Sequence, residues 1–186
     1  MGYTHYWEVK KSLSQTEWDK FYIGVNKILE KNGVPIQYEY DNPKPPQIDD
    51  NIVRFNGVGD EGHETFYFEK EKTGFNFCKT AQKPYDIVVV ACLIYAKICF
   101  GDKIRISSDG EVKNWNGEIE AWQDGKKLFE KAIGVVKIKF ETSGLVVNIE
   151  KPFIEKEQKE NLPKIPETKE EQAISLFEQA IKVLES

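Results

Sequence analysis

The chain has 186 residues, of which 40% are hydrophobic and 31% are charged, so it suits one globular domain and is not a disordered chain. Its net charge of −5 provides no overall positive potential, which argues against a general binder of duplex nucleic acid. Its longest apolar run, residues 87–96, is too short to span a membrane. Three irregularly spaced cysteines predict reduced thiols in a cytoplasmic protein rather than a disulfide scaffold.

The chain begins with a predicted strand and a predicted amphipathic helix. Residues 3–10 are rich in Tyr, Trp, Thr and Val, which is the composition of a β-strand. Ser14 and Glu17 have the spacing of a capping box, in which each side chain satisfies a free backbone N–H of the other residue. Apolar residues then recur at three- and four-residue intervals, which predicts a helix that ends near Gly33.

A long loop and a meander are predicted next. Residues 34–50 contain four prolines together with four Asp or Asn residues, a composition that predicts a loop. Strand composition then resumes in three short segments that are separated by polar turns, which predicts a three-stranded meander. The three segments are 52–55, 63–69 and 75–78.

The middle of the chain predicts a buried helix, a strand and a short helix. Residues 84–100 include a run that is apolar on every side, and a proline near the start and a glycine after the end favour a buried helix over a strand. Residues 103–107 predict another strand. Asp124 is placed to cap a short helix that ends at Gly134. Its predicted inner face consists of Leu128, Phe129, Ala132 and Ile133.

The C-terminal third predicts an extension of the main domain. Residues 135–149 have the alternating pattern of a β-hairpin, residues 150–166 have the composition of a charged, proline-containing linker, and residues 167–186 predict an amphipathic helix. The predicted main domain, residues 1–134, is of the α+β class. It is expected to contain a mainly antiparallel sheet with two or three packed helices.

Polar and reactive residue types concentrate in four short blocks. Both histidines, one cysteine and several Lys, Asp, Ser and Thr residues fall inside them. Each block is predicted to lie at a strand end or at a strand-to-helix junction, where the binding sites of α+β proteins are usually built. The blocks are 3–7, 56–66, 77–86 and 107–110.

The same blocks carry a set of motifs that resembles a known family. The motifs are Met-Gly-Tyr-Thr-His-Tyr-Trp at 1–7, Phe-Asn-Gly-Val-Gly at 55–59, His-Glu-Thr-Phe at 63–66, Phe-Cys-Lys-Thr at 77–80, Lys-Pro-Tyr-Asp at 83–86 and Ser-Asp-Gly at 108–110. In this order, over residues 1–134, they are similar to those of an uncharacterised family of small bacterial and phage proteins. The resemblance implies no particular activity or catalytic residue, and it does not extend to the C-terminal third.

The leading site hypothesis places an anion beside the predicted helix 84–100. Lys79 and Lys83 precede this helix, where cations are unfavourable unless an anion lies nearby. That anion is either a bound ligand or the chain's own Asp86 and Glu64. Aromatic rings and polar groups from the other blocks complete the predicted site. The predicted ligand-binding residues are His5, Trp7, Asn56, His63, Lys79, Thr80, Lys83, Tyr85, Asp86, Ser108 and Asp109.

Three further features have competing interpretations. The glycine-rich stretch 57–62 offers backbone N–H groups to an anion, but its spacing matches no phosphate-binding fingerprint and favours a hairpin turn. Cys78 beside a lysine suggests a nucleophile, whereas a strand cysteine next to Phe77 is more often a small buried residue. His5 and His63 have no tight metal-ligand spacing, so neither a metal nor another cofactor is predicted.

The sequence leaves three functions open. The first is a cytoplasmic protein that binds, and by binding sequesters, a small anionic ligand with a ring, such as a nucleotide or a nucleotide-derived signal. The second is a hydrolase of a similar ligand, with His63 or Glu64 as the base and Asp109 as a second acid or metal ligand. The third is a protein-interaction module. A homo-oligomer is compatible with the predicted C-terminal helix, and neither duplex nucleic acid nor a membrane is an expected partner.

Overall fold

Three α-helices and nine β-strands form in the residues that the structure, a computed structural model, describes: 2–109, 120–141 and 146–155. The helices are α1 (Gln15–Lys31), α2 (Asp86–Phe100) and α3 (Glu120–Ala132). The strands are β1 (Thr4–Val9), β2 (Ile36–Gln37), β3 (Gln47–Ile48), β4 (Ile52–Gly57), β5 (Phe66–Glu69), β6 (Gly74–Lys79), β7 (Ile104–Ser108), β8 (Gly134–Glu141) and β9 (Val146–Glu155). This mixture of helices and antiparallel sheets confirms the predicted α+β class.

The first sheet has the strand order β6-β1-β7, and β1 is antiparallel to both of its neighbours. β6 and β7 therefore run parallel to each other, and α2 connects them. Side chains alternate between the two faces of a strand. On β1, His5, Trp7 and Val9 are buried, whereas Tyr6 and Glu8 face the other way and are partly or fully exposed. One face of this sheet thus belongs to the core, and the other meets solvent.

Helix α1 forms as its capping box predicts. The Ser14 hydroxyl accepts a hydrogen bond from the Glu17 backbone N–H, and the Glu17 carboxylate accepts one from the Ser14 N–H. Gly24 allows close packing against α2, because a Cβ at this position would overlap the Tyr95 ring. The buried stripe of α1 consists of Trp18, Phe21, Val25 and Ile28.

Helix α2 is buried on nearly every side, as its uniformly apolar sequence predicts. Aromatic rings fill the space between the helices and the sheets. Trp18 stacks on Phe100 with the ring centroids 6.4 Å apart, and Trp7 stacks on Phe68 with the centroids 5.7 Å apart. Each buried ring contributes about 2 kcal/mol or more through the surface that it removes from water, so this aromatic core is a major source of stability.

The second sheet shows that the predicted meander is wrong. β4 and β5 pair as expected, but β4 also pairs with β2 and β3, two short strands inside the segment 34–50 that was expected to be loop. β6 leaves this sheet and pairs with β1 through a six-residue register. The composition of a turn predicts that the chain reverses direction, but it does not determine which strand β6 pairs with. The longer register with β1 satisfies more backbone groups, and it buries one face of β6.

Helix α3 begins earlier than predicted. It starts at Glu120, so Asp124 lies inside the helix and not at its cap. The Asp124 carboxylate instead accepts a hydrogen bond from the ammonium of Lys127, one turn further along, at 2.8 Å. The predicted inner face is otherwise in place, since Phe129 and Ile133 are buried in the core.

Strands β8 and β9 form an antiparallel pair at the end of the described residues. Val136 of β8 is buried in the core, and β9 continues to Glu155, into the segment that was predicted as a linker. These strands belong to one compact unit, Met1–Lys156. The remainder of the predicted linker and the predicted helix 167–186 lie outside the described residues. Among the described helices, none is long and apolar enough to cross a bilayer.

Candidate functional site

An open cleft of about 620 Å³ lies beside the turn that joins β4 to β5. Lys83 and His63 line it with basic groups, and Asp60 and Glu64 line it with carboxylates. Tyr40 adds an aromatic ring that is 46% exposed. Two of the predicted ligand-binding residues, His63 and Lys83, therefore meet in this cleft, together with Glu64, a candidate base.

The wall of the cleft that carries His63 is shaped by Asn56. The Asn56 Oδ1 accepts hydrogen bonds from the backbone N–H groups of Gly57 and His63, at 2.8 and 3.1 Å, and its Nδ2 donates to the His63 carbonyl at 2.9 Å. Asn56 is fully buried, so it holds the turn and does not reach a ligand itself. A Cβ at Gly57 or Gly62 would collide with the backbone of the same turn. These glycines therefore serve the turn, in agreement with the hairpin interpretation.

Lys83 also lines the cleft, and an unusual turn before α2 places it there. Ala81 and Gln82 have φ angles of 52° and 56°, left-handed values that non-glycine residues seldom adopt. The Lys83 N–H closes the turn by donating to the Thr80 carbonyl at 3.0 Å. The Lys83 ammonium reaches across and donates to the Asp60 carbonyl at 2.7 Å. Backbone strain of about 1 kcal/mol or more per residue is characteristic of functional sites, so this turn marks the cleft as a candidate.

No family model, curated protein or solved structure matches this chain. The resemblance to small bacterial and phage proteins therefore stays a prediction.

A second group of predicted residues meets inside the protein, where β1, β7 and α2 converge. The His5 Nδ1 lies 2.6 Å from the Ser108 hydroxyl, and its Nε2 lies 2.8 Å from the Asp86 Oδ1. The Thr80 hydroxyl donates a hydrogen bond to the same Asp86 oxygen. All four residues are buried. The strand register causes this convergence, because it places His5 directly opposite Ser108.

The hydrogen bonds join Ser108 to His5 and His5 to Asp86, as they join the nucleophile, the base and the acid of many hydrolases. The surroundings of these three residues nevertheless favour a structural role. His5 has no exposed surface, and the rings of Tyr3 and Trp122 pack against it with centroid distances of 5.2 and 5.6 Å. When Asp86 accepts a hydrogen bond from the Nε2–H, Nδ1 accepts one from the Ser108 hydroxyl, so both ring nitrogens are used. The network ties β1, β7 and α2 together within the core.

The two rings that were predicted to stack on a ligand lie in the core instead. Trp7 is 2% exposed and packs against Phe66 and Phe68, and Tyr85 is fully buried. The Tyr85 hydroxyl donates to the Glu64 carbonyl at 2.6 Å, and burial raises the pKa of Tyr85, so the hydroxyl keeps its proton at neutral pH. Composition cannot separate these rings from ligand-stacking rings, because aromatic residues serve cores and sites alike.

Cys78 is a buried residue of β6 and not an activated nucleophile. Its thiol donates a hydrogen bond to the Glu64 carbonyl at 3.3 Å. Burial raises the pKa of Cys78, which keeps the sulfur protonated and unreactive. The structure therefore supports the interpretation of Cys78 as a small apolar residue.

Lys79 and Asp109 do not line the cleft. The Lys79 backbone N–H donates to the Glu64 carboxylate at 2.7 Å, so Lys79 contacts a residue of the cleft through its main chain. The Asp109 carboxylate accepts hydrogen bonds from the Thr4 N–H and the Tyr6 hydroxyl, both at 3.0 Å. The proposed hydrolytic pairing of Asp109 with His63 or Glu64 is thus not assembled in this cleft.

The sequence reasoning missed Tyr40. This residue lies in the proline-rich segment 34–50, where no periodicity distinguishes a ring that faces a site from a ring that packs on a turn. Its exposure in a loop next to charged side chains is the signal, and it becomes visible only in the structure. Across the described residues, no three His, Cys, Asp or Glu side chains come together as a metal site.

Proposed function

We propose that this chain is a binding protein for a small ligand that carries one anionic group and a ring, as nucleoside monophosphates do, and that the ligand occupies the cleft beside Lys83. The observation that carries the proposal is the meeting of an ammonium group, an imidazole and an exposed aromatic ring in one open cleft. The volume of about 620 Å³ is in the range of sites for small molecules.

Lys83 supplies the charge for the anionic group of the ligand. An ammonium forms charge-assisted hydrogen bonds with phosphate or carboxylate oxygens, and these are stronger than neutral ones. Asp60 and Glu64 also face the cleft, and they would repel a second or third phosphate. The same carboxylates accept hydrogen bonds from hydroxyl or amino groups of a ligand. The charge pattern therefore favours a ligand with a single anionic group over a triphosphate.

Tyr40 supplies the surface for the ring of the ligand. Nearly half of its surface is exposed, and it is the aromatic residue among the lining side chains. A flat ligand ring gains contact area and favourable stacking geometry on such a surface. Tyr40 thus takes the role that the sequence assigned to Trp7 and Tyr85.

The protein is proposed to hold its ligand without converting it, in the cytoplasm. The described residues do not assemble His63 or Glu64 with Asp109 in the cleft, so the acid–base pair of the hydrolase hypothesis is lacking there. A cytoplasmic location fits the buried thiols of Cys78 and Cys92, which form no disulfide.

Calorimetric titration of the full chain with the four common nucleoside 5′-monophosphates, the matching nucleosides and the triphosphates tests this proposal. At least one monophosphate should bind, and the matching nucleoside should bind about tenfold or more weakly because it lacks the charge-assisted bonds. The bound ligand, released by heat and measured by mass spectrometry, should be chemically intact. Binding of none of these compounds, or preferred binding of a triphosphate, would contradict the proposal. Recovery of a hydrolysed ligand would assign a hydrolase instead.

A further inference from the structure

Three aromatic rings lie in a row on the solvent face of the first sheet, two of them exposed and one partly exposed. We define this aromatic face as Tyr6, Phe75 and Phe77. Phe75 and Phe77 are 64% and 55% exposed, the largest exposed fractions among the aromatic residues whose side chains the structure describes. Tyr6 stacks on Phe75 with the centroids 5.9 Å apart and the planes 24° apart, and Phe75 lies 6.3 Å from Phe77. Such a contiguous apolar patch on a soluble domain usually marks a binding surface.

The sheet register fixes these rings on one side. Phe75 and Phe77 are two residues apart on β6, so they point to the same face, and Tyr6 on the adjacent strand β1 is directly opposite Phe77. The Asp109 carboxylate accepts a hydrogen bond from the Tyr6 hydroxyl at 3.0 Å, which orients that ring. The sheet therefore holds the three rings in this arrangement in the absence of a partner.

The chemistry of this face matches nucleobases. Antiparallel sheets that bind single-stranded RNA present two or three aromatic rings on neighbouring strands, and one base stacks on each ring. The local sequence Gly74-Phe75-Asn76-Phe77 also has the glycine and the two alternate aromatic residues of the RNA-binding strand in such sheets, and it differs from that strand at Asn76, where the strand has Gly or Ala. In the present sheet this strand, β6, is the neighbour of β1, which carries Tyr6.

Charged residues of both signs lie at the ends of the aromatic face, so the net electrostatic attraction for phosphates is small. Lys79 lies at one end, in register with Thr4, and Arg105 lies at the other end, in register with Glu8. These two cations can contact phosphates on either side of the stacked bases. Glu8 and Asp109 offset them, so stacking has to supply most of the affinity.

We propose that the aromatic face binds about two or three consecutive nucleotides of a single-stranded nucleic acid by stacking their bases on Tyr6, Phe75 and Phe77. This activity is separate from the ligand cleft and does not depend on it. Duplexes are excluded as ligands, because paired and stacked bases do not offer free ring faces.

Fluorescence anisotropy of labelled decamers, titrated with the full chain, tests the proposal. Oligouridine RNA and oligothymidine DNA are the single-stranded probes, and a duplex of the same length is the reference. We expect a single-stranded probe to bind and the duplex not to bind. Phe75→Ala and Phe77→Ala should each weaken binding by about fivefold or more, because each removes one stacking ring. The slope of log affinity against log salt should stay shallower than about −1.5, which corresponds to two phosphate contacts.

Tyr40→Ala is the matched control, because it removes an exposed ring at the cleft and leaves the aromatic face intact. It should bind the single-stranded probes as the unmodified chain does. Phe75 and Phe77 are exposed, so their substitution should leave the thermal unfolding of the protein nearly unchanged. Absence of binding by the unmodified chain would overturn the proposal, as would equal loss in Tyr40→Ala. Concentration-dependent dimerisation that Phe77→Ala abolishes, without any nucleic-acid binding, would assign this face to a second copy of the chain.

Discussion

At the scale of single residues, Asp86 shows how one side chain joins several elements. Its carboxylate accepts hydrogen bonds from His5 of β1 and from Thr80 in the turn before α2. It also lies in the first turn of α2, where a negative charge is favourable beside the free N–H groups of the helix. Because Asp86 is buried, loss of this carboxylate leaves two buried polar side chains without their acceptor.

Replacement of Asp86 is therefore expected to destabilise the fold. Asp86→Ala should lower the free energy of unfolding by about 3 kcal/mol, because buried donors lose their acceptor. Asp86→Asn keeps an oxygen acceptor and should cost less, about 1 kcal/mol. Urea denaturation at pH 7 measures both changes. Asp102→Ala, at an exposed aspartate, is the control and should stay within about 0.5 kcal/mol of the unmodified chain. An unchanged unfolding midpoint for Asp86→Ala would contradict the structural role of the network.

The sequence predicted which polar residues lie close to strand ends, but it did not predict which of these side chains are exposed to solvent. His5, Thr80, Asp86 and Ser108 do converge, although they do so inside the core. Burial depends on long-range packing, and block composition carries no information about it. Lys83 does line the cleft, and its predicted role in binding an anion stays a prediction.

At the scale of secondary-structure elements, the start of α1 is fixed by electrostatics as well as by its cap. The Lys103 ammonium donates to the Glu17 carboxylate at 2.6 Å, and the Ser14 N–H donates to the same group at 2.8 Å. The bond with Lys103 is the larger cause, and together these contacts lower the pKa of Glu17 to about 2. This ion pair joins the first turn of α1 to the segment that leads into β7.

The pH dependence of stability should report this pair. Because the folded state lowers the pKa of Glu17, the stabilisation is complete above the ordinary glutamate pKa of about 4.3 and is lost as the pH falls towards 2. Glu17→Gln should lower the free energy of unfolding at pH 7 by about 1 kcal/mol, and the difference should disappear near pH 2. Urea titrations at several pH values measure it. Glu30→Gln, at an exposed residue of the same helix, should leave the pH profile unchanged. A pH-independent difference for Glu17→Gln would contradict the ion-pair account.

Elements were predictable where a local pattern determines them. The capping box and the apolar stripe define α1, and uniform apolarity over a helical length defines α2. The partner of β6 and the start of α3 were not predictable, because strand pairing and helix extension depend on contacts that are remote in sequence. The short strands β2 and β3 were not predicted for the same reason. Their pairing with β4 makes them strands, and their composition does not indicate it.

At the scale of the whole molecule, the central strand β1 separates the buried network from the aromatic face. Its inner face holds the buried network around His5, and its outer face contributes Tyr6 to the aromatic face. The cleft forms elsewhere, where the β4–β5 turn meets the turn before α2. One fold thus presents two separate surfaces, and variants of Lys83 and of Phe77 distinguish between them.

The most direct test of the proposed cleft is the rise in melting temperature that a nucleoside monophosphate produces in the full chain, in Lys83→Ala and in Lys79→Ala. Lys83 lines the cleft and Lys79 does not, so the two variants separate the lysines that the sequence grouped together. We predict that Lys83→Ala melts as the unmodified chain does without ligand and loses the ligand-induced rise, whereas Lys79→Ala keeps that rise. A rise that survives in Lys83→Ala would contradict the central claim that this cleft binds the anionic ligand.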